Sequence, residues 1–85
     1  MTLPQLHYVI TIAEKGSMNK AAEALYISQP SLTSSVKELE KELGITIFNR
    51  SGRGVTLTND GAEFLLYARE IYSQYENVLE KYGRS

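Results

Sequence analysis

The sequence predicts a mainly α fold: three short helices around one core, a two-stranded hairpin, and a long final helix. Three observations carry this. Two cap-and-helix signals lie close together, at Ser17 and at Ser28-Gln29-Pro30. Between residues 45 and 57 the apolar period shifts to two, around a polar, glycine-bearing turn. From residue 62 to 82 neither glycine nor proline breaks the chain. At 85 residues, with 42% apolar and 22% charged side chains, the chain suffices for one core and not two.

The first helix spans residues 3–15. Leu3, Leu6, Val9/Ile10 and Ala13 lie along one stripe, Thr2 or Leu3 ahead of Pro4 marks its start, and Gly16 ends it. Ser17 then offers an oxygen to the free N–H groups of a second helix, which runs through Lys20-Ala21-Ala22-Glu23-Ala24-Leu25, all good helix formers. Ala21, Ala22 and Leu25 give it a small apolar face that lets a neighbour cross closely. Tyr26-Ile27 breaks the run, and Met18 and Ile27 read as plugs at the rim of the core. Ser28 is the next cap, and Pro30 falls in the first turn, where a missing N–H costs nothing. Leu32, Val36, Leu39 and Leu43 mark one face of this third helix, and Gly44 terminates it.

Ile45-Thr46-Ile47-Phe48 alternates and is β-branched, Asn49 to Gly54 is a turn signal, and Val55-Thr56-Leu57 is β-prone again. Residues 45–57 therefore read as a hairpin, a wing, with Arg53 near its tip and Arg50 on its shoulder. The final helix starts at Thr58 or Asn59, with Asp60 and Glu63 complementing its dipole. Leu65, Ala68, Tyr72, Tyr75, Leu79 and Tyr82 repeat at spacings of three and four, and Phe64, Ile71 and Val78 form a second row. So wide an apolar surface exceeds what a small core covers. The amino half is expected to pack on the first helix, and the tyrosine-rich half on a copy of itself.

The third helix holds the most informative side chains. Opposite its apolar face stand Pro30, Ser34, Lys37 and Lys41, with Thr33 at the edge. The amino end of that face is small, polar and free of acids. Gln can make a two-pronged contact with adenine, Ser and Thr serve any base, and Lys meets phosphate or guanine. The same residues also suit a solvated helix surface, and the pattern alone leaves both readings open. For the wing, two arginines beside glycines favour a cationic loop at a DNA backbone or minor groove over plain surface charge.

Net charge is −1, which runs against a simple nucleic-acid reading. Residues 1–54 carry six Lys and Arg against five Glu, and residues 55–85 carry three against five acids, so the surplus acid is C-terminal. Steering toward DNA would have to come from local patches. No cysteine is present for disulfides or thiolate metal sites, and His7 is the only histidine, read as surface or partly packed. No membrane-length apolar run, signal-peptide core, nucleotide-binding glycine loop or catalytic constellation stands out, so no cofactor, no enzyme activity and a cytoplasmic location are expected.

Five blocks in order, from Leu6 through Gly61, resemble the amino-terminal domain of the LysR-type transcriptional regulators. They are Gly16-Ser17 with Ala21-Ala22-Glu23-Ala24-Leu25; Ser28-Gln29-Pro30-Ser31-Leu32-Thr33; Leu39-Glu40-Lys41-Glu42-Leu43-Gly44; Phe48-Asn49-Arg50; and Leu57-Thr58-Asn59-Asp60-Gly61. The resemblance implies a winged helix-turn-helix over residues 1–58 and a linker and dimerisation helix over 59–85, pairing through Leu65, Ala68, Tyr72, Tyr75, Leu79 and Tyr82. It also implies that Gln29, Pro30, Ser31, Thr33, Ser34 and Lys37 enter the major groove of double-stranded DNA. Arg50 would meet backbone phosphate, Arg53 the minor groove, and Asn19 and Lys20 phosphates. Many members carry arginine where this chain has Ser34 and a basic residue near Ser35, so those charges are lost here.

Members run several times longer and add a small-molecule-binding domain, with a homotetramer expected for the full-length protein. This sequence is read as a dissected DNA-binding domain without the effector-binding part. The rival class is a winged helix that dimerises and docks proteins without touching DNA, and its support is the acidic balance.

Overall fold

The computed structural model describes residues 1–83 and contains α1 (Leu3–Lys15), α2 (Met18–Leu25), α3 (Gln29–Leu43), β1 (Phe48–Ser51), β2 (Gly54–Leu57) and α4 (Asn59–Tyr82). Arg84 and Ser85, the end of the expected 59–85 segment, lie outside the described residues. Every helix opens on a side-chain cap. Thr2 accepts from the Gln5 N–H while the Gln5 side chain accepts from the Thr2 N–H, a reciprocal box. Ser17, Ser28 and Thr58 accept from the N–H groups of Lys20, Ser31 and Gly61. Gly16 and Gly44 close α1 and α3 in the left-handed conformation, as their positions predict.

Leu6, Val9 and Ile12 of α1, Ala21 and Ala22 of α2, and Leu32, Val36 and Leu39 of α3 meet in the core, with Met18, Ile47 and Phe48 closing it. The buried stripe of α1 thus runs through Ile12 rather than ending on the partly buried Ala13. Thr11 is buried too, its hydroxyl satisfied by the His7 carbonyl at 2.8 Å.

The hairpin is shorter than the sequence pattern predicts. Phe48 pairs with Leu57 and Ser51 with Gly54, so Asn49, Arg50 and Ser51 are strand rather than turn, and Gly52-Arg53 alone forms the tip. Ile45 to Ile47 is not strand. The Glu40 carboxylate accepts from the Ile47 N–H at 2.6 Å and the Phe48 N–H at 3.4 Å, taking donors that a longer ladder would need. The wing is held on both sides. Val55 N–H donates to the Gly16 carbonyl at 3.2 Å, and Thr58 N–H donates to the Ile47 carbonyl at 3.0 Å.

α4 lies along α1 through its amino half. Tyr72 stacks on His7 with ring centroids 5.0 Å apart, and Tyr75 tilts against Tyr72 at 5.5 Å. Arg69 pairs with Glu14 at 3.8 Å. Beyond Tyr75 the helix leaves the core, and Val78, Leu79 and Tyr82 are exposed. Among the described residues no helix is long and apolar enough to cross a membrane.

Candidate nucleic-acid interface

Burial of Leu32, Val36 and Leu39 fixes the opposite side of α3 outward. Pro30, Ser34, Lys37 and Lys41 are exposed there, and Gln29 and Thr33 are half-buried at the edge. With Glu38 and with Arg50 from β1 they line one open concavity of 510 Å³. Gln29 Nε2 donates to Thr33 Oγ1 at 2.8 Å. That bond uses one amide hydrogen and holds the side chain along the helix, leaving the other hydrogen and Oε1 open to a base edge.

A second concavity adjoins the first, between the wing and the α1–α2 turn. Lys15, Lys20, Arg50 and Arg53 bring four cations to it, Asn19 borders it, and none of its lining residues is acidic. The Val55–Gly16 bond sets this geometry by pinning the wing beside the start of α2. Arg50 borders both concavities, so they form one continuous surface. Of the five acids of residues 1–54 three are engaged elsewhere, and Glu38 alone lines the α3 concavity. Glu14 pairs with Arg69, Glu42 with the terminal amine at 2.5 Å, and Glu40 with backbone N–H groups. A chain of net charge −1 therefore presents a locally cationic face.

The bacterial regulatory helix-turn-helix protein model of the lysR family matches residues 3–62. This chain belongs to the lysR family. It is 38% identical over 84 residues to the HTH-type transcriptional regulator CitR of Bacillus subtilis (strain 168), covering 99% of this chain and 29% of CitR. It is 45% identical to the HTH-type transcriptional regulator ClcR of Pseudomonas putida, over 84% of this chain and 24% of ClcR. The chain thus spans under a third of the length of these relatives. Among solved structures it resembles the CbnR DBD-DNA complex (TM-score 0.90, 40% identity, 95% of this chain and 93% of that one). It also resembles the BenM DBD/catB site 1 DNA complex (TM-score 0.91, 36% identity, 95% and 91%). The winged helix-turn-helix class read from the residues agrees with these matches.

Of the ten positions expected at the interface, this lysR-family fold gathers nine. Gln29, Pro30, Thr33, Ser34 and Lys37 share the α3 concavity, Asn19, Lys20 and Arg53 the wing concavity, and Arg50 both. Ser31 stands apart. Its hydroxyl accepts from Ser28 Oγ at 2.8 Å within the cap and lines neither concavity. Lys15 joins the wing side. Its proximity to Arg53 depends on the tertiary bond from Gly16 to Val55, and no local pattern signals it.

The row expected to pair two copies divides. Ala68 is fully buried within the protomer, Leu65 packs on the core, and Tyr72 is taken by His7, so these three serve the contact with α1. Leu79 and Tyr82 of the row are exposed, and with Tyr67, Ile71 and Val78 they form the free apolar surface of α4, exposed by 48, 71, 60, 42 and 55%. Tyr67, Ile71, Val78 and Tyr82 recur at helical spacing on the flank beside the row that faces α1.

Proposed function

We propose that this chain is the sequence-specific DNA-binding domain of a bacterial transcriptional regulator. The observation that carries the reading is one continuous surface on which a groove-sized helix face meets four cations. In this arrangement α3 enters the major groove, with Gln29, Pro30, Thr33 and Ser34 at base edges and Lys37 and Arg50 at phosphates. Asn19 and Lys20 meet the flanking backbone, and Arg53 reaches from the wing toward the minor groove. The DNA complexes of the CbnR and BenM domains, which have this fold at 36–40% identity, support it. With hydroxyls at Ser34 and Ser35, base readout leans on hydrogen bonds and methyl contacts rather than on a guanidinium.

Two copies joined along α4 would present two such surfaces to one duplex, the symmetry that two half-sites demand. Within a full-length protein, a small-molecule-binding domain and a tetramer would follow, acting in the cytoplasm. Selecting bound duplexes from a random pool tests the reading. A two-fold site with affinity falling steeply with salt is the expected result. The acidic balance favours a second reading, a protein-docking module. It predicts no affinity for random duplex at any salt.

A further inference from the structure

Tyr26 stands in the turn between α2 and α3, where the fold needs a left-handed residue but not a tyrosine side chain. It is 95% exposed, so its ring gains little from burial in the protomer. Its backbone is left-handed, φ 58° and ψ 38°, and among the described residues it is the only non-glycine with positive φ. Side chains with a Cβ avoid that conformation, and glycine or asparagine would close α2 with less strain. The cap needs only the backbone: Tyr26 N–H donates to the Ala22 and Glu23 carbonyls. The Ile27 N–H completes that cap on the Ala22 carbonyl at 3.1 Å, so the backbone conformation is accounted for while the exposed tyrosine ring is not, and the ring points to a use outside the protomer.

Its place narrows that use. Tyr26 lies two residues ahead of the Ser28 cap and three ahead of Gln29, which opens the α3 concavity. A helix whose amino end enters a major groove brings the turn before it alongside the phosphate strand. We propose that Tyr26 is a DNA-backbone contact. Its phenol O–H donates to a phosphate oxygen flanking the base read by Gln29, and its ring packs on the adjoining deoxyribose. The inference rests on the DNA-binding reading above. It adds an uncharged anchor on the opposite end of α2 from Asn19 and Lys20.

The test measures binding of the chain to random and to pool-selected duplex at several salt concentrations, beside thermal unfolding. Tyr26→Phe should lower affinity about tenfold on both duplexes, the scale of a hydrogen bond to a charged group. The slope of log affinity against log salt should stay at the parent value, because no counterion-releasing charge is lost. Tyr26→Asn should lose at least as much affinity while melting at or above the parent temperature, since asparagine tolerates the left-handed turn. Parent-like binding by either variant overturns the inference and leaves Tyr26 for a protein contact. Affinity loss that tracks a lower melting temperature overturns it as well. If the parent itself binds no duplex, the DNA-binding reading fails first.

Discussion

In the proposed complex Gln29 and Arg53 would divide the work of recognition, and their chemistry predicts different failures. Gln29 is held by Thr33 with a donor and an acceptor left open, the pair a base edge would need. Gln29→Ala should cost about 1–3 kcal/mol on the preferred site and leave random duplex binding unchanged, as competition assays between the two would record. Arg53 is an exposed cation at the hairpin tip. Arg53→Ala should weaken binding to most sequences and reduce the salt slope by about one, since one cation is lost from the duplex surface. Parent-like curves from both variants would refute the groove geometry. Tyr72 makes a prediction of another kind. Burial raises its phenol above the ordinary value of 10.0, with Glu76 and Tyr75 adding to the effect. The unfolded chain then ionises first as pH rises, so it binds fewer protons than the native state and stability falls above about pH 10. Urea midpoints should fall less steeply there for Tyr72→Phe than for the parent.

At the scale of elements, the wing depends on the segment before it. The Glu40 carboxylate satisfies two successive N–H groups where chain direction changes, and Ile47 is fully buried. Glu40→Ala would leave these donors unmet at a cost of about 2 kcal/mol, measurable by urea unfolding, with Glu40→Gln between the two because it keeps one acceptor. The start of α4 is as constrained. A Cβ on Gly61 would overlap the Ile47 carbonyl, which also accepts from the Thr58 N–H, and the Thr58 hydroxyl bonds the neighbouring Thr46 carbonyl. Gly61→Ala should therefore destabilise by about 1–3 kcal/mol and lower the melting temperature. These tertiary bonds mark where the sequence ceases to be legible. The helices could be read because caps at Ser17, Ser28 and Thr58 and the Leu32/Val36/Leu39 period are local signals. The strand start at Phe48 could not, because Ile45 to Ile47 has β-type residues, yet the Ile45 N–H donates to the Glu40 carbonyl and the Ile47 N–H to the Glu40 carboxylate. The site was legible along α3, where one helix face defines it. Lys15 was not, since it joins the wing only through the bond from Val55 to Gly16.

The whole molecule measures 45 × 25 × 19 Å, and α4 makes it long. Its 24 residues span about 36 Å, more than the helical core beneath them can cover. Charge is distributed along the same axis: the cations face the α3 and wing concavities, while Asp60, Glu63, Glu70, Glu76 and Glu80 ride on α4. A dimer built along α4 would keep those acids away from the duplex and cover Tyr67, Ile71, Val78 and Tyr82. Joining the changes Ile71→Lys and Val78→Lys tests this without touching the core, because both positions are exposed in the protomer. Buried against a twin, each lysine would be an unpaired charge in an apolar contact, which is strongly unfavourable. Sedimentation should show the parent as a dimer and the double variant as a monomer, with similar circular dichroism. The monomer should still bind a single half-site at parent affinity, while its affinity for a two-fold site should fall at least a hundredfold, because the second contact is no longer intramolecular. A double variant that remains dimeric, or a monomeric parent, would place the pairing surface elsewhere.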